Sequence, residues 1–243
     1  MSLMTVSMAA ACLLLGIIPT QAQVINFDVP GATNRGQTFA SGSRFNVGTH
    51  FVGQGALSDL GNYYWNAVLF NSTTSGGLLS DGITASPITL TMSGFNEYAG
   101  NNYGGNVTQG TPSALFTPFA YNGNTVTLNN LAGGTYNLFV YTQNGSDFGN
   151  ATTITLGATT LTDASRSSVN NINTFIQGTN YVEFAGISPI AGALSLSFGG
   201  DKNFNGIQLQ VEPTPEPSTY ALAGLGLVSL FGFRSLNRRQ TTS

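Results

Sequence analysis

The stretch LSLSFGGDKNFNGIQLQVE, residues 194–212, contains two runs in which apolar and polar side chains alternate. In residues 194–198 leucine and phenylalanine alternate with serine, and in residues 207–212 aliphatic residues alternate with glutamine and glutamate. A period of two puts successive side chains on opposite faces of a β strand. The stretch therefore predicts two half-buried antiparallel strands joined by a turn rich in glycine and asparagine.

The same alternation recurs at residues 88–93 and 125–128, where aliphatic residues and methionine alternate with threonine and serine. The segment GTYNLFVYTQ, residues 134–143, is apolar on both faces and predicts a central strand. Apolar stripes of helical period are confined to the two termini, and glycine- and asparagine-rich turns separate the other runs. The sequence predicts an all-β fold, an antiparallel β-sandwich or jelly roll of roughly nine or ten short strands.

Charged residues are scarce, at 7% of the chain, where an ordinary soluble domain has roughly a quarter. Hydroxyl and amide side chains supply the polarity instead, and the 41% of hydrophobic residues suffices for a core. The net charge is −3, and the basic residues between the termini are dispersed. A nucleic-acid-binding surface needs clustered lysine and arginine, so that class of function is excluded.

Residues 201–212, DKNFNGIQLQVE, match the spacing of a calcium-binding loop. Asp201, Asn203 and Asn205 would offer oxygen ligands, with Gly206 at the turn and Glu212 as the last ligand. However, a loop of this type must run into a helix, and the residues after Gly206 alternate like a strand. A glycine- and asparagine-rich turn is the competing interpretation, and calcium binding through the three oxygen-bearing residues is kept as a hypothesis.

Aromatic side chains are the candidates for glycan binding, since exposed rings with a polar atom suit the face of a sugar. Tyr98 and Tyr103 lie in FNEYAGNNYGG, residues 95–105, which reads as a loop. Trp65 is the third candidate. The alternative is that Trp65 packs in the core, because aromatic side chains bury a large area.

The sequence offers little support for catalysis. His50 is the only histidine, so a histidine-based triad or a multi-histidine zinc site is absent. The spacing of the carboxylates singles out no pair for acid–base work. We therefore expect a protein that is not an enzyme and has no cofactor apart from the calcium hypothesis.

Residues 1–22 have the length and apolar run of a signal peptide, with a small-residue cleavage site between Ala22 and Gln23. The run lacks the usual basic residue near its start. The only cysteine, Cys12, lies in this segment, so a chain processed at Gln23 forms no disulfide. The sequence therefore predicts export.

A second apolar run, residues 219–233, follows a Pro-rich linker at residues 212–218. As a helix it would span about 22 Å, short of the roughly 30 Å hydrocarbon core of a bilayer. Its shortness suggests a temporary anchor, whereas a buried core helix is the usual interpretation of runs of this length. The flanking residues are Pro215, Glu216 and Pro217 before the run and Arg234, Arg238 and Arg239 after it.

The order Pro-Glu-Pro, apolar run and arginine cluster resembles the PEP-CTERM sorting signal of bacteria. The resemblance implies export, transient residence in the inner membrane, and processing by a membrane enzyme of the exosortase type near the Pro-Glu-Pro. The body then reaches the cell surface or the extracellular polysaccharide matrix. The β-rich segments between the termini also resemble, more diffusely, the bodies of many such proteins.

The predicted organisation is a signal peptide at 1–22, a β-sandwich at 23–211, the linker at 212–218 and a transmembrane sorting segment at 219–243. We expect a surface or matrix protein associated with exopolysaccharide. A lectin-like glycan-binding module and a permanently anchored single-pass protein are the alternatives. Exposed, grouped aromatics would favour the module, and a hydroxyl-rich surface with buried aromatics would favour a structural component.

Overall fold

The alternating segments of the sequence form strands in the computed structural model of the protein. The structure describes residues 23–29, 51–53, 55–57, 63–68, 71–74, 76–98, 115–116, 119–142, 151–163 and 174–212. These residues belong to one compact unit, Gln23–Glu212. The predicted signal peptide, most of the linker and the sorting segment lie outside the described residues. Within the described ranges, no helix has the length and apolarity needed to cross a bilayer.

Fifteen strands are described along the chain, more than the nine or ten expected, because several are too short to show a period. They are β1 (Val24–Asp28), β2 (Phe51–Gly53), β3 (Tyr63–Ala67), β4 (Gly77–Leu78), β5 (Ala85–Ser86), β6 (Thr89–Ser93), β7 (Asn96–Tyr98), β8 (Phe119–Tyr121), β9 (Thr125–Asn129), β10 (Tyr136–Tyr141), β11 (Thr152–Leu156), β12 (Thr159–Thr162), β13 (Tyr181–Ile187), β14 (Leu194–Gly200) and β15 (Gly206–Val211).

Two large sheets contain most of these strands. The six-stranded sheet has the order β13-β10-β15-β1-β3-β2, and the five-stranded sheet has the order β12-β11-β14-β9-β6. All neighbours pair antiparallel, as predicted, except β1 and β3, which are parallel with Phe27 beside Asn66. A parallel pair needs a long connection, and residues 29–62 provide one. The all-β prediction is confirmed, whereas the jelly-roll connectivity stays a prediction.

One apolar core lies between the two sheets. The predicted alternation is confirmed at residues 88–92, 126–128 and 194–198, whose apolar side chains are all buried. Strands of both sheets contribute to this cluster, among them Phe27 of β1 and Leu138 of β10. The face-to-face packing makes the described fold a β-sandwich.

The six-stranded sheet is covered on its outer face as well. The predicted central strand β10 lies between β13 and β15, and Phe139 and Tyr141 point away from the sandwich core into a second aromatic cluster. Gln208 of β15 was expected to face solvent, but it is fully buried beside this cluster. The reason is that Gly55 and Leu57 cover it. A Cβ on Gly55 would lie 2.6 Å from Nε2 of Gln208, and the N–H of Leu57 donates a hydrogen bond to Oε1 of Gln208.

Tyr141 fixes residues 55–57 to the sheet. Its hydroxyl accepts a hydrogen bond from the backbone N–H of Ala56 at 2.7 Å and donates one to Oε1 of Gln208 at 3.0 Å. The N–H of Leu57 donates to the same Oε1 at 3.3 Å. Burial raises the pKa of the Tyr141 hydroxyl well above its ordinary value, which keeps it protonated as a donor.

We predict that Tyr141→Phe lowers the free energy of unfolding by about 1–3 kcal/mol, because it removes the acceptor of the part-buried Ala56 N–H and one of the two donors to the buried Oε1 of Gln208. Tyr136→Phe is the matched control. The Tyr136 hydroxyl donates to the carbonyl of Ala132, an exposed residue, at 2.9 Å, so water can replace it. Chemical denaturation measures both variants. Equal losses in the two variants would contradict the assigned role of Tyr141.

Candidate functional site

Trp65 does not form part of an exposed glycan site. It is fully buried in the outer aromatic cluster, with its ring centroid 5.6 Å from that of Tyr141 in an edge arrangement. The burial follows from its position on β3, whose alternate residues Tyr63 and Trp65 face this cluster. The expectation of sugar stacking at Trp65 is therefore wrong, and the alternative of core packing holds.

Tyr98 lies on a strand rather than in the loop that the sequence suggested. It ends β7, which pairs antiparallel with β8 so that Tyr98 stands beside Phe119. Glycine and asparagine dominate the sequence only after this residue, which is why the strand was missed. The position of the Tyr98 side chain and all of Tyr103 lie outside the described residues, so glycan binding there stays a prediction.

The segment with calcium-loop spacing is a crossover between the two sheets. It leaves the five-stranded sheet at the end of β14 and enters the six-stranded sheet at Gly206, the first residue of β15. Phe204 inserts into the core, with its ring centroid 5.9 Å from that of Phe95 and 5.8 Å from that of Phe198. The segment therefore closes one end of the sandwich.

The two asparagines of this segment are held by backbone and hydroxyl partners. Asn203 is buried, and its N–H donates to the hydroxyl of Thr152 at 3.1 Å. Asn205 is fully buried, and its Nδ2 donates to the carbonyl of Phe116 at 3.1 Å. The half-buried Asp201 precedes them at the end of β14.

Strand β15 separates Glu212 from the start of this segment. Extended backbone from Asn205 to Glu212 covers about 23 Å, too far for both to bind one ion. Among the described residues, no three His, Cys, Asp or Glu side chains gather into a group. A loop of the EF-hand type is thus excluded by the strand, and calcium binding through Asp201 stays a prediction.

Gly206 is required for close approach between strands rather than for a sharp turn. A Cβ at this position would lie 2.6 Å from the carbonyl oxygen of Phe27 and 3.3 Å from Cα of Asp28. Both contacts are with the backbone of β1, which pairs with β15. The residue type that suggested a calcium loop thus serves sheet packing.

We predict that Gly206→Ala destabilises the fold by about 1–3 kcal/mol, because β1 must move away from β15. Gly133→Ala is the control, since a Cβ there meets nothing within 4 Å, and we expect a change within about 0.5 kcal/mol. Thermal and urea unfolding measure both. A tolerated Gly206→Ala would show that the two strands are less closely packed than the structure has them.

The outer face of the five-stranded sheet is the candidate functional surface. Its outward-facing positions carry hydroxyl and amide side chains and one glycine, and among the described residues of this face none is charged or aromatic. We call this surface the hydroxyl face. Its residues are Thr89, Thr91, Ser93, Thr125, Thr127, Asn129, Thr153, Thr155, Thr160, Thr162, Ser195, Ser197 and Gly199.

Strand register arranges these side chains in rows across the sheet. Thr91, Thr127 and Ser195 form one row through their pairing on β6, β9 and β14. The next row runs over all five strands and consists of Ser93, Thr125, Ser197, Thr155 and Thr160. Neighbouring rows repeat about every 7 Å along a strand, and neighbouring strands lie about 4.8 Å apart.

Hydroxyl groups in these rows bond to one another while staying accessible. The hydroxyl oxygens of Thr127 and Ser195 are 3.1 Å apart, and those of Thr155 and Thr160 are 2.9 Å apart. Ser195, Ser197 and Thr160 are exposed. The sequence showed the alternation of each strand, but the assembly of the strands into one uncharged surface depends on the sheet order.

The C-terminal residues were compared with known protein families. Residues 213–239 match the model of the PEP-CTERM protein-sorting motif. The chain carries a PEP-CTERM sorting signal. This confirms the resemblance, which rests on the Pro-Glu-Pro at 215–217, the apolar run and the arginine cluster, although these residues lie outside the described structure. The PEP-CTERM motif marks an exported protein that is sorted through exosortase to the cell surface or the extracellular space.

Comparison with solved structures gives distant similarities to parts of two enzymes. β-Glucuronidase 2 of Bacteroides uniformis, covalently bound to cyclophellitol-6-carboxylate aziridine, matches with a TM-score of 0.42 and 12% identity over 68% of this chain. This chain spans 18% of the length of that enzyme. The exo-β-1,3-galactanase of Phanerochaete chrysosporium, solved with galactose, matches with a TM-score of 0.24 and 18% identity, over 51% of this chain and 33% of that one. No curated protein matches the sequence significantly.

Proposed function

We propose that the body of this PEP-CTERM protein is a non-enzymatic surface or matrix component that associates with neutral exopolysaccharide through the hydroxyl face. The observation that carries the proposal is the continuous row of hydroxyl side chains across all five strands, from Ser93 to Thr160. The sorting signal delivers the protein to the compartment in which such polysaccharide is found. The proposal therefore joins the known destination to a surface of matching chemistry.

Hydroxyl groups suit a neutral sugar chain because each is both a donor and an acceptor, as each sugar hydroxyl is. The row Thr91, Thr127 and Ser195 offers such groups on three adjacent strands. An uncharged face also avoids the cost of removing a charge from water when a neutral polymer covers it. Acid–base catalysis needs a titratable group at the substrate, and this face offers hydrogen bonding alone.

Affinity in this proposal comes from repetition rather than from a deep pocket. A net hydrogen bond contributes about 1 kcal/mol, so a single sugar would bind weakly to a flat face. A polymer that contacts several rows raises its effective concentration at each further row. A matrix polysaccharide is such a polymer, which is why it is favoured over a small free sugar.

We predict that the double variant Ser195→Lys and Ser197→Lys reduces binding to exopolysaccharide isolated from the source cells by roughly tenfold or more. Each lysine projects from the centre of the hydroxyl face and must lose water under a covering polymer. Loss of only one or two net hydrogen bonds gives a change of this size. Co-sedimentation of the mature protein with the polysaccharide measures the effect.

Ser188→Lys is the matched control, because Ser188 is exposed and follows β13 of the other sheet. It should bind like the unsubstituted protein, and thermal unfolding should show that all variants are folded. Undiminished binding of the double variant, or an equal loss in the control, would contradict the proposal that the hydroxyl face binds the polysaccharide.

Processing of the tail separates a sorted protein from a permanently anchored one. We predict that the chain recovered from its native cells and medium begins near Gln23 and ends between Pro215 and Ser218. Exosortase-type processing would remove the apolar run together with the arginines. Intact mass and C-terminal peptide mapping measure both ends. Recovery of Arg238 and Arg239 on inner-membrane protein would instead support permanent anchoring.

A further inference from the structure

Two isoleucines at the tips of turns are almost fully exposed. Ile83 is 84% exposed and Ile190 is 82% exposed, whereas Ile176, the third exposed large hydrophobic residue in the described part of the chain, is 41% exposed. An isolated exposed aliphatic residue needs no explanation. The position of these two in the fold, however, places them at the same end of the sandwich.

The tip that carries Ile83 projects beyond the start of β1. Leu79 forms an antiparallel bridge with Ile25, and the N–H of Ser80 donates to the carbonyl of Val24 at 2.8 Å. Because this segment runs antiparallel to β1, the residues after Ser80 continue past the first residue of that strand. Ile83 therefore lies at the end where β1 begins.

The tip that carries Ile190 projects from the same end. Strand β13 ends beside the first residue of β10, with Ile187 opposite Tyr136, and Tyr136 stands opposite Val211 of β15. The N–H of Val211 donates to the carbonyl of Gln23 at 2.8 Å. The residues after Ile187, including Ile190, therefore project from the end of the sandwich at which β1 begins and β15 ends.

Local hydrogen bonds hold both tips in place. Backbone N–H groups of Ile83 and Thr84 each donate to Oδ1 of Asp81 at 2.8 Å. The hydrogen bond from the Thr84 hydroxyl, together with these two backbone bonds, lowers the pKa of Asp81, which is the charged residue of this tip. At the other tip, Ile190 and Ala193 exchange two backbone hydrogen bonds at 3.0 Å.

The chain also leaves the body at this end. Glu212 follows β15, and the sorting motif begins at the next residue. A linker of residues 213–218 reaches at most about 20 Å when fully extended. If the apolar run after it enters the bilayer, as the sorting signal implies, this end of the body is tethered near the bilayer surface.

We propose that, before the tail is removed, this end of the sandwich rests on the lipid bilayer with the side chains of Ile83 and Ile190 inserted at the interface. The partner is a lipid surface, since both side chains are purely aliphatic and the tether ends in lipid. Each inserted side chain contributes apolar burial. The contact would present the protein to the membrane enzyme in a fixed orientation. Cleavage of the tail would remove the tether and so weaken the contact.

The test uses the chain that begins at Gln23 and keeps its tail, which has no cysteine of its own, with one new cysteine at a time, Ile83→Cys, Ile190→Cys or Ile176→Cys, each labelled with a polarity-sensitive fluorophore. The proteins are inserted into phosphatidylcholine vesicles that contain lipids with a nitroxide near the head group. Ile176 is the matched control because it lies at the opposite end of the sandwich. Its carbonyl accepts the N–H of Asn180, and the carbonyl of Asn180 accepts the N–H of Thr142, the residue after the end of β10.

We expect nitroxide quenching several-fold stronger at positions 83 and 190 than at position 176, with blue-shifted emission at the first two. Equal quenching at all three positions would show unspecific adsorption and would overturn the proposal. Absence of quenching at 83 and 190 in chains that float with the vesicles would also overturn it. So would failure of the chain with its tail to float, because no tether would then exist.

Discussion

The passage of the chain from β14 to β15 is the constraint on which the rest of the fold depends. Five residues, Asp201–Asn205, carry the chain from one sheet to the other and fill the gap between them with Phe204. The Phe204 backbone forms two hydrogen bonds with Ala120 of β8, each 2.8 Å long, so the crossover is also tied to a smaller sheet. Because each sheet has one face in the shared core, the separation of the sheets is set by the side chains packed at this crossing. The asparagines beside Phe204 are also buried: the backbone N–H of Asn203 donates to the Thr152 hydroxyl, and Nδ2 of Asn205 donates to the carbonyl of Phe116.

The outer faces of the two sheets have opposite chemistry, and the five-stranded sheet carries a broad polar surface in the described part of the chain. On the six-stranded sheet, Trp65, Tyr141 and their neighbours form an aromatic cluster that distant segments cover. On the five-stranded sheet, threonine and serine bond to one another across the strands and remain accessible. A chain with 7% charged residues has few charges with which to keep a surface hydrated, so hydroxyl groups supply the polarity of this face.

Local sequence predicts which face of a strand enters the core, but it does not predict whether another segment of the chain covers the opposite face. The burial of Leu90, Val126 and Leu196 followed from alternation because their neighbours are polar. Gln208 sits in an equally regular alternation and is buried all the same, since residues 55–57 reach it from far along the chain. Three further features depend on strand order, which is a non-local property. They are the parallel pairing of β1 and β3, the use of the segment with calcium-loop spacing as a crossover between sheets, and the assembly of the hydroxyl face.

The last backbone hydrogen bonds described in the sandwich lie before the position at which the tail is predicted to be cut. Within the described residues, the final backbone hydrogen bonds of the chain are those from the N–H of Val211 to Gln23 and from the N–H of Glu212 to Thr135, at 2.8 and 2.9 Å. Cleavage near Pro215 would fall beyond both of them. Proline has no N–H to donate, so a segment that begins with Pro213 and contains Pro215 and Pro217 is a poor continuation of β15. These three prolines at the start of the sorting motif thus disfavour an extension of β15 into the tail, and cleavage near Pro215 would fall after the two hydrogen bonds of Val211 and Glu212.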